Sequence, residues 1–248
     1  MVTLAAGDAV AVELVGAIRA GVLSVVERLL AGHPGLATAR ILDSGGCSRT
    51  PLHVVADWPG HFPRGPELVV VLVGAGADPD AAVVGGRHPE TPLHWSASSD
   101  DAQVAAALLD AGADIEAPGA SIAGGSPLDD AVGYGCWQVA RLLVERGARV
   151  DRLWQAAALG LMPRVTALLA GDPAPTAEEI TEAFWQACHG GQRRMAEHLL
   201  TTQGADVNGR PGYAGEAPLD IAGSPGTGRH VLVSWLRDQG ARSAVVPS

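Results

Sequence analysis

A four-residue phrase recurs along this chain and limits the folds open to it. Thr50-Pro51-Leu52-His53 returns as Thr91-Pro92-Leu93-His94, and in altered form as Ser126-Pro127-Leu128-Asp129 and Ala217-Pro218-Leu219-Asp220. A second phrase answers it: Gly76-Ala77-Asp78, Gly112-Ala113-Asp114 and Gly204-Ala205-Asp206, with Gly147-Ala148-Arg149 and Gly240-Ala241-Arg242 as variants. Self-similarity at a period of about 33 residues marks a solenoid of helical units that cannot bury their apolar faces alone. Matching positions in such an array serve the scaffold, so chemistry has to be sought where the repeat is broken.

Apolar spacing locates the helices. Val22, Val25, Val26, Leu29 and Leu30 fall on one helical face. The closing apolar pair then returns as Leu72-Val73, Leu108-Leu109, Leu142-Leu143, Leu168-Leu169, Leu199-Leu200 and Trp235-Leu236, which predicts seven outer helices, each preceded by an Ala-rich inner helix. Glycine after each pair suits a helix stop that needs left-handed backbone. Thr or Ser before Pro supplies an N-cap followed by a residue whose fixed φ suits the first helical position.

With these motifs in register, the chain resembles ankyrin-repeat proteins of the bacterial type, with about seven divergent repeats. The resemblance runs over approximately residues 8–243, and the repeats read as 8–32, 50–77, 91–113, 126–148, 152–171, 180–205 and 217–241. It implies an all-α solenoid of stacked antiparallel helix pairs with projecting hairpins, a single domain over 1–248, and a concave face built from inner helices and hairpins. Three departures stand out. Asp57-Trp58-Pro59-Gly60-His61-Phe62-Pro63-Arg64-Gly65-Pro66 replaces the tight turn of the second repeat; the hairpin after Val150 is nearly absent; and the fifth and sixth repeats carry Trp in place of the threonine-proline start. Thr176 to Glu179 has the spacing of a capping box.

Composition narrows the partners. A formal net charge of −10 over 248 residues, without a basic run, argues against nucleic acid and anionic membranes and favours basic or cationic ligands. Cys47, Cys136 and Cys188 are odd in number and widely separated, which fits neither a disulfide framework nor a zinc site and suits a reducing compartment. The N-terminal stretch carries Asp8 and Glu13 and lacks a basic leader, and there is no apolar run of about 20 residues. The expectation is a cytoplasmic soluble protein without metal or cofactor, its oligomeric state left open.

Aligning the repeats on the signature leucine defines two columns on the inner helices. One reads Val54, Trp95, Asp130, Gln155, Gln186 and Ile221; the next reads Asp57, Ser98, Gly133, Ala158 and His189, with Trp58, Ser99, Tyr134 and Leu159 beside it. These columns predict a wall bearing Trp58, Trp95 and Tyr134 with Asp57, Ser98, Asp130, Gln155, Gln186 and His189, joined by His61 and Phe62 of the long loop. Aromatic rings with a few convergent polar groups suit a ligand pocket, and carboxylates among them suit a cation. Trp154 and Trp185, at the signature His position, read equally as core. Only Asp130 of the adjacent Asp129-Asp130 pair should reach the concavity, since neighbouring helical side chains diverge by about 100°. Asp100-Asp101 suits a helix start.

His53 and His94 occupy the signature position, which the resemblance assigns to hydrogen bonds between neighbouring hairpins. No His-x-x-x-His spacing, Gly-Lys-Ser phosphate cradle or nucleophile elbow occurs. The leading expectation is a binding or scaffold protein that takes a protein or peptide partner on the concave face. The alternative is a small-molecule-binding protein or non-classical enzyme under the 57–66 loop, with Asp57, Asp130 or His189 moving protons. A third reading gives the same surface to self-association.

Overall fold

The computed structural model describes residues 2–244. Fourteen α-helices among them fall into seven consecutive pairs, and the chain divides into two compact units, 1–148 and 149–248. The division falls beside the missing hairpin after Val150.

The first unit opens with strand β1 (Thr3–Ala5) and the pair α1 (Ala9–Arg19) and α2 (Leu23–Gly32). A 3-10 turn (Leu36–Thr38) leads into β2 (Arg40–Leu42) and β3 (Ser48–Arg49). Then come α3 (Pro51–Ala56) with α4 (Gly65–Gly74), α5 (Pro92–Ser98) with α6 (Ala102–Asp110), and α7 (Pro127–Gly133) with α8 (Trp137–Glu145). Inner helices α1, α3, α5 and α7 pack in sequence, as do the outer helices α2, α4, α6 and α8. Leu52, Leu68, Leu72, Leu93, Leu108, Leu128 and Leu143 are fully buried between them, so one member of each closing pair fills the core. A small sheet, which the repeat pattern does not announce, ties the hairpins: β1 runs parallel to β2, β2 antiparallel to β3, and Ser48 bridges to Val84 of the next hairpin.

The signature phrase acts as a reciprocal cap. His53 Nδ1 accepts from Thr50 N–H at 3.2 Å and lies 2.8 Å from Thr50 Oγ1. Nδ1 is therefore the acceptor, and Nε2–H donates to the Glu90 carbonyl of the following hairpin at 3.0 Å. His94 repeats the contact with Thr91, and Asp129, Gln155, Glu179 and Asp220 reach back to the N–H of Ser126, Arg152, Thr176 and Ala217. The Thr176 to Glu179 capping box forms as its spacing predicts. Gly76, Gly112 and Gly147 of the closing phrase sit at φ of +96°, +94° and +96°, the left-handed stop that disfavours side-chain-bearing residues.

The second unit contains α9 (Leu153–Ala158) with α10 (Met162–Leu169), α11 (Ala177–His189) with α12 (Arg193–Thr201), and α13 (Pro218–Ala222) with α14 (His230–Asp238). Its inner helices α9, α11 and α13 pack in order, around Ala156, Ala157, Ala158, Phe184, Met195 and Leu199. Among the described residues no helix is long and apolar enough to cross a membrane.

One glycine is not needed by the fold. Gly16 lies inside α1 with negative φ and nothing within 4 Å of the position a Cβ would take. Gly16→Ala is expected to stabilise the protein by about 0.5–1 kcal/mol through backbone entropy. A urea titration that shows no gain in midpoint would refute this.

Candidate functional site

The inner helices of the first unit bring their broken positions together. Asp57, Trp58, Glu90, Trp95, Ser98, Ser99, Ser121 and Tyr134 line an open cavity of about 250 Å³. Trp58 stands 78% exposed on the loop after α3, and Tyr134 is exposed just beyond α7. Trp95 is held by its neighbour, meeting the His53 ring edge-on with centroids 4.9 Å apart. Trp58 and Tyr134 are therefore presented to the surface, while Trp95 is half-buried against His53 and turns its remaining surface to the cavity.

The polar groups beneath form a connected set. Ser121 Oγ donates to Asp130 Oδ1 at 2.9 Å, and the Ile122 N–H donates to the same oxygen at 3.0 Å. Ser121 Oγ also lies 2.8 Å from the Tyr134 hydroxyl. The single serine proton is given to Asp130, so Tyr134 O–H is the donor to Ser121. Asp130 is completely buried and its Oδ2 has no hydrogen-bond partner of normal geometry among the described residues. The Glu90 carboxyl lies beside it, turned toward the Trp95 indole N–H and the Ser121 backbone N–H. Burial pushes the Asp130 carboxyl up to about 7, with the charges of Glu90 and Asp129 adding to the shift, and burial also raises Glu90.

Asp57 is already committed. Its Oδ2 receives Arg19 at 2.8 Å and Arg49 at 3.0 Å, a pairing that fixes the start of the long loop. That loop is tied on both sides. Phe62 lies 5.9 Å under the Arg19 guanidinium, while Asp101 accepts the His61 N–H at 2.6 Å and caps α6 through the Val104 N–H. Asp100, in left-handed backbone, accepts the N–H groups of Gln138 and Val139 and so caps α8. The expected helix-start role of Asp100-Asp101 thus acts on two successive outer helices. His61, 59% exposed, and Phe62 line a separate cavity of about 380 Å³ with Arg64, Asp101 and Gln138.

The remaining expected wall residues belong to the second unit. Gln155 is buried with its Oε1 on the Arg152 N–H. Gln186 Nε2 donates to the Tyr213 hydroxyl at 3.1 Å, which donates to Glu182 at 2.9 Å, and Gln186 Oε1 lies 3.3 Å from His189 Nδ1. Trp185 is buried, packs against His189 and Tyr213, and gives its indole N–H to the Glu216 carbonyl, so it takes the core role. Burial, with the Arg229 charge adding, pushes His189 down to about 4.

Column reading therefore places Asp57, Trp58, Trp95, Ser98 and Tyr134 in one cavity. Asp130 lies behind the wall and not on it, because Ser121 and Ile122 of the hairpin fold over it. Glu90 and Ser121, which the columns miss, sit in hairpins; the signal for Glu90 is its place immediately before the signature Thr91. Among the described residues no group of three or more His, Cys, Asp or Glu is placed to hold a metal.

Fold and site together define an all-α repeat solenoid with an open recess on the inner-helix face of its first unit. Residues 61–152 match the family model for ankyrin repeats (3 copies), a stretch that holds Glu90, Trp95, Ser121, Asp130 and Tyr134. No curated protein matches the chain.

Proposed function

We propose that the protein is a binding module that recognises a protein or peptide partner on the inner-helix face of its first unit, with Trp58, Trp95 and Tyr134 as anchors. The observation that carries this is the cavity lined by the exposed Trp58 and Tyr134 and the half-buried Trp95 above a set of acids. Ankyrin repeats are in general protein-interaction modules, and buried aromatic anchors dominate interface energies. A net charge of −10 steers basic partners inward. The seven helix pairs are on this reading seven divergent repeats of one domain. The free Cys47, Cys136 and Cys188 suit a reducing cytoplasm.

Affinity capture from the native host is expected to recover a stoichiometric partner. Trp95→Ala should weaken its binding about thirtyfold, the equivalent of about 2 kcal/mol. A partner that binds Trp95→Ala and Tyr134→Ala as well as the parent would overturn the reading.

The Tyr134, Ser121 and Asp130 relay favours a second reading, a small-molecule site or non-classical enzyme. Its acid and base would be Asp130 with Glu90, since Asp57 is spent on two guanidinium groups. A metabolite that raises the melting temperature of the parent but not of Asp130→Asn would favour it.

A further inference from the structure

The recess in the first unit holds two adjacent carboxyl groups with which no cation is paired among the described residues. Glu90 is part of its lining, and Asp130 lies fully buried behind it, its Oδ2 without a hydrogen-bond partner of normal geometry and the Glu90 carboxyl beside it. Neither acid forms an ion pair among the described residues, and the rim guanidiniums of Arg19 and Arg49 are both held by Asp57. Two neighbouring carboxyls, one fully buried and the other half-buried, do not both ionise cheaply; they retain one proton between them. Asp130 Oδ2 is the place for it. A protonated Oδ2 needs an acceptor, Glu90 is the carboxyl beside it, and Glu90 is turned toward two N–H groups that favour its ionised form.

Resting on the reading of this face as a partner-binding surface, we propose that the Glu90 and Asp130 pair receives a cationic side chain of the partner, lysine ammonium or arginine guanidinium, in exchange for its shared proton. The cation enters between Trp58, Trp95 and Tyr134, whose ring faces attract positive charge, and contacts Glu90. One proton leaves Asp130 for solvent, no covalent bond changes, and the pair passes from one negative charge to two. The Ser121 hydroxyl and the Ile122 N–H already hold Oδ1, so the ionised Asp130 remains hydrogen-bonded.

Of the other titratable groups around Asp130, Cys136 and His94 are both held away from neutral pH. Asp129 on its own helix accepts the Ser126 N–H. Burial raises the Cys136 thiol to about 11 and lowers His94, on the adjacent α5, to about 4. Tyr134 is a phenol in hydrogen bond with Ser121. The packed helix α8 leaves Arg141 and Glu145 exposed to solvent. The proton count of cation binding thus reports on the carboxyl pair.

The test follows the tryptophan indole N–H signals of the full chain by NMR during titration with Nα-acetyl-lysine methylamide, Nα-acetyl-arginine methylamide and the neutral Nα-acetyl-norleucine methylamide. At least one cationic amide should shift the Trp95 signal, and norleucine should not. Which of the two binds more tightly separates ammonium from guanidinium. Binding should be about tenfold weaker at pH 6 than at pH 8, because below about pH 7 a proton has to leave. Asp130→Asn should erase that pH dependence, and Glu90→Gln should remove binding. Equal binding of norleucine, no response to either cation, or a pH-independent affinity in the parent protein overturns the proposal without requiring any variant to fold. A captured partner that depends on Trp95 but is indifferent to Glu90→Gln refutes the cation and leaves the binding face standing, whereas indifference to Trp95→Ala refutes the face itself.

Discussion

Acidification from pH 6.5 to pH 5 is expected to remove about 2 kcal/mol of stability for each signature histidine, an amount that matters against the 5–15 kcal/mol typical of a domain. Burial lowers His53 and His94 to about 4 from an ordinary 6.5. Their folded pKa lies below the unfolded one, so between these values the unfolded chain binds more protons and stability falls with pH. The stabilisation is fully present above 6.5 and is lost as pH falls toward 4. His53 shows the cause: Nδ1 is an acceptor for Thr50, and protonation would turn it into a donor facing donors. Asp130 acts in the opposite sense. Its folded pKa is raised to about 7 from 3.8, so its contribution is present at low pH and lost as pH rises through 7. Urea midpoints measured at pH 7 and pH 5 should therefore fall on acidification, and His53→Gln, which keeps an acceptor and a donor, should flatten the loss. Gln155 already performs this capping for Arg152. A midpoint that does not move between pH 7 and pH 5 in Asp130→Asn, where the opposing carboxyl is removed, would exclude the neutral-histidine scaffold.

Gly190→Ala is expected to cost the second unit about 3 kcal/mol, roughly 12 °C or more in melting temperature for about 100 residues. Gly190 follows α11, and a Cβ there would overlap the carbonyl oxygen of Ala158 at the end of α9 and crowd its Cα at 3.1 Å. Every obstructing atom is backbone, so no rotamer relieves the overlap and two packed inner helices have to separate. The effect is steric and does not depend on dihedral preference, since φ at Gly190 is −77°. Melting by circular dichroism tests this directly. An alanine variant that melts within a degree or two of the parent would mean that the α9 and α11 contact is looser than the structure shows.

What was legible in the sequence was whatever the helical register controls. The signature phrase set the N-caps, the closing pairs set the buried outer faces, and the spacing between them put Trp58, Trp95 and Tyr134 on one side. The scaffold role of His53 was legible through the resemblance, and its bond to the Glu90 carbonyl bears it out. Hairpin chemistry was not legible. Glu90 and Ser121 reach the recess through loop backbone, whose path no periodicity encodes. The burial of Asp130 depends on the 121–122 segment folding over it, so its helix position predicted the direction of the side chain and not its depth. Strand β1 is not signalled in the sequence because three residues, Thr3–Ala5, are too few to show a period and pair in parallel with a segment 37 positions away (Thr3 with Arg40).

The bond from His53 Nε2 to the Glu90 carbonyl bears on how such a site could be moved. The acid that lines the recess is carried by one repeat, but its main chain is gripped by the repeat before it, and its carboxyl faces an aspartate from the repeat after. A graft of residues 91–113 into another array would transfer Trp95 and leave behind Glu90, the residue that fixes Glu90, and the floor beneath it. A transplantable cassette has to reach from Arg19, which holds Asp57, to Tyr134, so shuffling of single repeats would erase this recess while preserving the fold.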